Sequence, residues 1–471
     1  MKSNYKISLT LFLLILTFCT ILSQTVNPKI KCYFNKPVNT AVSSGQNAVY
    51  LSGSGSLKDT LIAYINRAKY TIDLCVYNFY NTGSTDNILS IATAINNAYT
   101  RGVSIRWIGD GSATNNSFSY LNSSINTIVS PTTTSYGICH NKFLVFDVNS
   151  TNVNDAYVWS GSFNFSSQQN TTDYNNAVVI QDKVLSLAYY NEFNKMWGTT
   201  ALAPNLTNSK FGTFKTASSV TSFTVNGTPI ELYFSPKDGA QSKMLNLINS
   251  ASTDLFFGIY AFTDNLIATS INSRKSAGVN VRGIMDPFSN GYSPISTLSV
   301  TMGASLRIDN LTGLYHNKIM LADALIANSD PQVAVGSYNW TSSATNTNDE
   351  NLLIIHDQVI ANQYYQSLCK NFVDEGGVAC TTFVGIEILD NNSHNIAVYP
   401  NPATDKINVQ LKNYSQNLKI VVTNNLGQII LTEQLTNTDN LTTNVTNLNS
   451  GVYFVTIYTD NQKFVQKFVK L

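Results

Sequence analysis

One segment of this chain is written twice, and that repetition limits the possible folds more than any other feature. Cys139-His140-Asn141-Lys142 leads through Phe143-Leu144-Val145-Phe146 to Asp147. Tyr315-His316-Asn317-Lys318 leads through Ile319-Met320-Leu321-Ala322 to Asp323. Both place Lys two residues after His and Asp five residues after Lys. Downstream come Gly161-Ser162-Phe163-Asn164 and Gly336-Ser337-Tyr338-Asn339, again alike. The chain has four histidines and two of them occupy this one setting, so a two-fold site is expected.

The repetition reaches well beyond these segments. Arg101-Gly102-Val103-Ser104-Ile105-Arg106-Trp107-Ile108-Gly109-Asp110 aligns with Ala277-Gly278-Val279-Asn280-Val281-Arg282-Gly283-Ile284-Met285-Asp286, at the interval that separates His140 from His316. Leu57, Leu61, Ile62, Ile65 and Ala68 fall at helical spacing, as do Ile88, Ile91, Ala92, Ile95 and Ala98. Between and after them, Tyr70 to Tyr77 and Val103 to Ile108 read as strands, the former apolar enough to be buried on both faces. Met244, Leu245, Ile248 and Ala251, then Asp254 to Tyr260, repeat that order, and Glu231 to Phe234 matches the opening strand at Val49 to Leu51. Such β-α-β-α-β text implies an α/β layer in each copy. At 471 residues the chain is also too long for one ordinary core.

The boundaries follow from these patterns. Residues 1–23 form an export signal, with Lys2 and Lys6 ahead of the apolar run Leu9 to Leu22 and a small-residue cleavage point at Ser23-Gln24. That run is too short to span a bilayer comfortably, and no other stretch approaches transmembrane length. The two copies occupy 45–200 and 229–380, joined by a polar connector at 201–228. A linker, 381–395, leads to a region, 396–471, of short alternating runs and regular turn signals, expected to be a small β-sandwich.

Within each copy the repeated segment should open a hairpin. Lys142 to Asp147 goes out and Ala156 to Phe165 returns; Ile319 to Leu321 and Gln332 to Trp340 do the same. Strand alternation puts each His and its Lys on one face. The returning strand can bring Ser and Asn to the same mouth.

Charge and cysteines narrow the chemistry. The formal net charge of +1 gives no global pull toward nucleic acid or an anionic membrane. With the leader removed, five cysteines remain, and Cys369 and Cys380 are close enough in sequence to pair outside the cytoplasm. Cys139 adjoins His140, but its counterpart is Tyr315, so symmetric chemistry does not use a thiol. Two His and two Asp could bind zinc only by leaving each Lys out of place, so no metal and no cofactor are expected. Such a set of basic and neutral donors suits an anionic substrate. A neutral imidazole attacks and a second carries a proton. Lys142 and Lys318 supply fixed positive charge, with Ser162, Asn164, Ser337 and Asn339 as uncharged phosphate-binding donors.

The two copies, over roughly residues 45 to 375, resemble the phospholipase D superfamily, named for its His-Lys-Asp motif. The resemblance implies two homologous α-β-α sandwich halves that form one active site, with His140 and His316 on either side of one phosphate. One imidazole forms a phosphohistidine; the other protonates the leaving oxygen and then activates water. In that family a carboxylate just before an Asn-apolar run often orients the histidine. Asp349-Glu350-Asn351 supplies it in one copy, whereas Asp173-Tyr174-Asn175-Asn176 puts Asn175 at that place in the other. The two histidines therefore have unequal proton affinities and fixed roles, His140 being the nucleophile. Asp147 and Asp323 are read as braces of the hairpin.

The last region resembles the sorting domain of the type IX secretion system of Bacteroidetes. Tyr399-Pro400-Asn401-Pro402, Leu426-Gly427, Ser450-Gly451-Val452-Tyr453 and the terminal Lys467 to Leu471 carry the likeness. It implies the type IX secretion machinery as partner and a secreted or surface location. The reading that results is a secreted phosphodiesterase acting on phospholipid headgroups. A metal-independent endonuclease on DNA or RNA, and a non-catalytic adhesin on the same fold, are the alternatives.

Overall fold

The computed structural model describes residues 27–133, 135–325, 330–380, 396–424, 428–458 and 463–471. The export signal, the 381–395 linker, residues 326–329 and Leu426-Gly427 lie outside the described residues, in whole or in part. The chain divides into two units, Met1–Gly385 and Ile386–Leu471.

The first copy holds β1 (Ile30–Phe34), β2 (Val49–Tyr50), α1 (Leu57–Arg67), β3 (Thr71–Val76), α2 (Ser90–Thr100), β4 (Ser104–Gly109) and β5 (Asn126–Val129). It continues with β6 (Lys142–Phe146), β7 (Tyr157–Gly161), α3 (Ser167–Thr171), β8 (Asn176–Ile180) and α4 (Lys183–Trp197). Its sheet runs β2-β1-β8-β7-β6-β3-β4-β5. The helical spacing seen in the text is realised: Leu57, Leu61 and Ile65 of α1 and Ile91, Ile95 and Ala98 of α2 are buried on one face of the sheet. Full burial of a side chain such as Leu61 contributes about 1.5–3 kcal/mol. Ser56 caps α1 in a reciprocal box with Asp59, satisfying N–H groups that the helix itself leaves open.

The second copy holds β9 (Ser222–Val225), β10 (Thr228–Ser235), α5 (Ala240–Ser250), β11 (Asp254–Ile259), α6 (Asn265–Ser276), β12 (Asn280–Met285) and α7 (Ser293–Met302). Then come β13 (Leu306–Ile308), β14 (Lys318–Ala322), β15 (Gln332–Gly336), α8 (Ser342–Asn346), β16 (Glu350–His356) and α9 (Gln358–Asp374). Its sheet, β13-β12-β11-β14-β15-β16-β10-β9, repeats the first from the opposite end. The opening strands do not match as the text suggested. β10 pairs antiparallel with β16, and its counterpart is β1 on β8, not Val49–Tyr50, which is a short edge strand on β1.

The two sheets share one core. Helix α9 is buried over most of its length, and with α4 it packs between them. Phe143 and Val145 of β6 enter this core from one side, Ile319 and Leu321 of β14 from the other. Phe34 meets Tyr364 edge-on at 5.0 Å, tying the first copy to the last helix of the second. The outer faces carry α1 and α2 on one sheet and α5, α6 and α7 on the other. Strands β6 and β14 are therefore covered on both faces, as their unbroken apolar text required. A disulfide joins Cys369 to Cys380, with Cα atoms 5.9 Å apart.

The second unit is an antiparallel sheet of β17 (Ile396–Tyr399), β18 (Lys406–Asn424), β19 (Ile429–Asn444), β20 (Gly451–Tyr458) and β21 (Lys463–Lys470). Alternate residues Ile407 and Val409, Ile420 and Val422, and Val455 and Ile457 turn inward to its own core. Among the described residues no helix is long and apolar enough to cross a membrane.

Candidate active site

Each His-Lys pair sits where its hairpin begins. Lys142 and Lys318 are the first residues of β6 and β14, and their ammonium groups curl back to donate to the carbonyls of His140 (2.8 Å) and His316 (2.6 Å). Asp110 accepts the N–H of Cys139 at 2.7 Å and Asp286 that of Tyr315 at 2.8 Å, fixing the residue ahead of each histidine. A tyrosine walls each pair. The Tyr77 ring lies 5.2 Å from the His140 ring and 5.4 Å from Lys142 Nζ; the Tyr260 ring lies 5.0 Å from His316 and 4.9 Å from Lys318 Nζ. Phe288 stacks on Tyr260 at 5.0 Å and is half exposed, so this aromatic wall runs out to solvent.

The motif aspartates point away, to the far end of their strands. Both have positive φ, which Asp tolerates better than most residues. Asp147 accepts the N–H groups of Lys69 (2.9 Å), Tyr70 (2.7 Å) and Thr71 (3.0 Å). Asp323 accepts those of Ser252 (2.9 Å), Thr253 (2.8 Å) and Asp254 (3.2 Å).

The partners of the histidines are crossed between the copies. Glu350 Oε2 lies 2.8 Å from His140 Nδ1, and Asn175 Oδ1 lies 3.1 Å from His316 Nδ1. The backbone explains why. Asp349 bridges to the first copy: its N–H donates to Ile138 and its carbonyl accepts from His140 N–H, both at 2.9 Å. Tyr174 N–H donates to Leu314 at 2.8 Å in the reciprocal arrangement. Asn176 Nδ2 reaches Asn317 Oδ1 at 2.8 Å, whereas Asn351 Nδ2 reaches Ser160 at 2.7 Å and not Asn141, so the two-fold relation is broken at these side chains. With Nδ1 engaged in each ring, Nε2 is left for chemistry.

The Gly-Ser pairs close each half-site. A Cβ on Gly161 would lie 2.3 Å from the Asn176 carbonyl, and one on Gly336 2.3 Å from that of Asn351, so only glycine lets these strands approach. Ser162 then donates to Asn175 at 2.8 Å and accepts from Asn176 N–H at 3.1 Å; Ser337 accepts from Asn351 N–H at 3.0 Å. The Ser162 hydroxyl thus contacts Asn175, the partner of His316. Asn164 and Asn339 are both buried; Asn339 Oδ1 accepts from Ala261 N–H at 3.3 Å, leaving its NH₂ end available.

Four basic groups are packed out of water here. His140, Lys142, His316 and Lys318 are each at most 7% exposed. Burial pushes Lys142 down to about 7, against the pull of Glu350. Burial and then the Lys142 charge push Lys318 well below the usual lysine range. His140 is lowered by burial and partly restored by Glu350. His316 is lowered much further, by burial and then by Lys318, Lys142 and His140, with no carboxylate to compensate. An anion placed among them would relieve all four.

Cys139 is fully buried with its sulfur 3.5 Å from that of Cys75, and the neighbouring thiol and burial push it up, away from thiolate character. Among the described residues no three His, Cys, Asp or Glu side chains form a metal-binding group. Tyr77, Tyr260, Asp110 and Asp286 were not singled out for the site from the text. For Asp110 and Asp286 a signal existed, since they occupy the same place in the aligned copies.

Residues 61–197 and 244–371 match the family described as "Cardiolipin synthase, PLD-like domain", and residues 397–471 match the "Secretion system C-terminal sorting domain". The phospholipase D of Rickettsia conorii is 32% identical over 136 residues, 28% of this chain and 64% of that protein. The mitochondrial cardiolipin hydrolase of Xenopus tropicalis is 34% identical over 133 residues, 27% of this chain and 59% of that protein. The chain thus spans somewhat less than two thirds of the relatives it matches. The crystal structure of the phosphatidylserine synthase of Haemophilus influenzae shares the fold, with a TM-score of 0.52 at 14% identity over 74% of this chain and 88% of that one. Both copies lie largely inside the matched spans: the chain belongs to the phospholipase D-like family and ends in a type IX sorting domain.

Proposed function

We propose that this protein is an exported phosphodiesterase that releases headgroups from phospholipids through a phosphohistidine on His140. The observation that carries the reading is the meeting of two buried His-Lys pairs, each histidine held at Nδ1 by the opposite copy. His140 Nε2 attacks phosphorus and the bond to the leaving oxygen breaks. Attack leaves a positive ring whose Nδ1–H faces the Glu350 carboxylate, so Glu350 stabilises the adduct as it forms. His316 gives its proton to the leaving oxygen. Its neutral partner, Asn175, holds that proton less firmly than a carboxylate would. Burial and then the Lys318 and Lys142 charges hold His316 down in the free site; a bound phosphate offsets those charges and raises the proton affinity of the ring. In the second step His316 takes a proton from water, water attacks phosphorus, and the N–P bond breaks. Lys142, Lys318, Asn164 and Asn339 face the non-bridging oxygens.

Export rests on the C-terminal sorting domain and the apolar leader. A lipid is favoured over a nucleic acid by the formal net charge of +1, since duplex binding relies on several Lys or Arg contacts to phosphates. Half-exposed Phe288, stacked on Tyr260, and exposed Tyr292 supply apolar surface at the same edge.

The test measures headgroup release from phosphatidylcholine and cleavage of single-stranded DNA, both in EDTA, with His140→Ala as control. Acid quench and peptide mapping should place the phosphate on His140. Phosphate on His316 would reverse the roles, DNA cleavage without headgroup release would replace the substrate, and inactivity in EDTA would refute the metal-free route. No turnover of either, or of an aryl phosphodiester, would point to an adhesin.

A further inference from the structure

Asp349 stands one residue before Glu350, fully buried, and the chemistry above makes no use of its side chain. Its carboxylate is nevertheless held from three directions. Oδ1 accepts Gly212 N–H at 2.9 Å and lies 2.5 Å from Lys215 Nζ; Oδ2 accepts the Tyr136 hydroxyl at 2.5 Å. Lys215 comes from the stretch between the two copies, which is polar in composition, yet its side chain is only 1% exposed. It also pairs with Glu192 of α4 and donates to the Ser235 carbonyl at 3.1 Å. Lys195 reaches the other Glu192 oxygen at 2.8 Å. Burial would pull Lys215 down, but Asp349 and Glu192 outweigh it and hold the ammonium firmly charged.

The equivalent place in the other copy is Tyr174, which carries no carboxylate; a part-exposed lysine, Lys36, lies over its ring at 4.8 Å. Asp173, one residue earlier, accepts from Leu314 N–H (2.9 Å) and from the amides of Gln168 (3.2 Å) and Gln169 (2.6 Å), all neutral. A buried ammonium therefore fastens only the side of the site that carries Glu350 and His140. The path between them is short: Asp349 makes the backbone bridge to Ile138 and His140, and the next residue holds His140 Nδ1.

We propose that Lys215 is a positioning residue, a strut from the connector that holds the Asp349 bridge and through it the Glu350–His140 pair. The proposal rests on the reading of His140 as nucleophile. Without the ammonium, Asp349 and Glu192 are left as buried carboxylates short of a counter-charge, a strongly unfavourable arrangement. The Asp349 segment then relaxes, and a displacement near 1 Å at a reacting group costs roughly 10²-fold in rate.

The experiment uses the full chain with Lys215→Met, Lys215→Arg and Tyr136→Phe, following the imidazole resonances by NMR against pH. Four histidines make the assignment tractable. The groups facing His140 are Glu350, Lys142, Lys318, His316 and Tyr77, and all stay in place. The Lys215→Met variant should move the His140 midpoint down by about one unit as the Glu350 contact loosens, leaving His316 near its own value. Its kcat should fall about 10–100-fold with KM little changed. Lys215→Arg should restore most of both, and Tyr136→Phe should give a smaller shift of the same sign. A folded Lys215→Met variant with the wild-type His140 midpoint and kcat overturns the proposal. If that variant does not fold, Tyr136→Phe decides, and an unmoved His140 midpoint overturns it. Absence of turnover in the wild type would sink the proposed function, while the NMR arm still decides the role of Lys215.

Discussion

Glu350 and His140 belong to opposite copies of one fold, yet Glu350 Oε2 meets His140 Nδ1 at 2.8 Å, while Asn175 takes the same place beside His316. The carboxylate should therefore matter to one histidine alone. Glu350→Gln is expected to lower kcat by about 10²-fold, within the range for orienting and charging a catalytic imidazole. Asn175→Asp should raise the His316 proton affinity, because a carboxylate favours imidazolium. The alkaline limb set by His316 as acid should move to higher pH in a kcat/KM profile; an unmoved limb would contradict the pairing.

Leaving-group dependence separates the two histidines. His316→Ala removes the proton donor, so a phosphodiester with an alkoxide leaving group should lose about 10²–10⁴-fold. With p-nitrophenolate, which departs without a proton, the first step should recover to within about tenfold of wild type. His140→Ala removes the nucleophile and should not recover with either substrate. Burst kinetics on the aryl ester reads the difference directly.

Lys142 titrates near neutrality in the empty site, pushed down to about 7 by burial. It is an ammonium below that value and neutral above it, so anion affinity should fall as pH rises through 7. Sulfate, whose own charge is constant there, is the suitable probe, and its inhibition constant should weaken between pH 6 and 8. Lys142→Met should bind sulfate weakly at both.

Asp309 gives the opposite kind of pH signature, in stability. Burial and then the neighbouring Glu375 push its carboxyl up to about 7. Unfolded, it loses its proton near 4; folded, near 7. Between those values the folded state holds the extra proton, so this group makes stability fall as pH rises. Asp309→Asn cannot ionise and should gain Tm over wild type at pH 8, with the difference shrinking toward pH 5 in thermal melts.

Much of this was legible before any coordinates. The duplication, the α1 and α2 faces, the two-sided burial of β3 and the Cys369–Cys380 bond were all read from sequence pattern and spacing. The crossing of Glu350 and Asn175 was not, because alignment of two copies compares residues within each and is silent on which copy a side chain faces. Strand β1 was passed over, although Ile30, Cys32 and Phe34 alternate inward, because the copy was taken to open at Val49–Leu51. Lys215 was hidden by polar neighbours: composition reads a stretch as a whole, whereas a single buried charge is set by what surrounds it.

The crossed partners also bear on how such a chain can diverge. Had the two copies remained separate, identical subunits, exchanging the carboxylate for Asn would have stripped both histidines at once. Covalent fusion lets one position change while the other keeps its charge, so a division of labour between otherwise equal rings becomes open to selection. By the same token neither copy expressed alone would own a finished dyad, and mixing the copies as separate polypeptides should reconstitute function only where each supplies the residue that the other lacks.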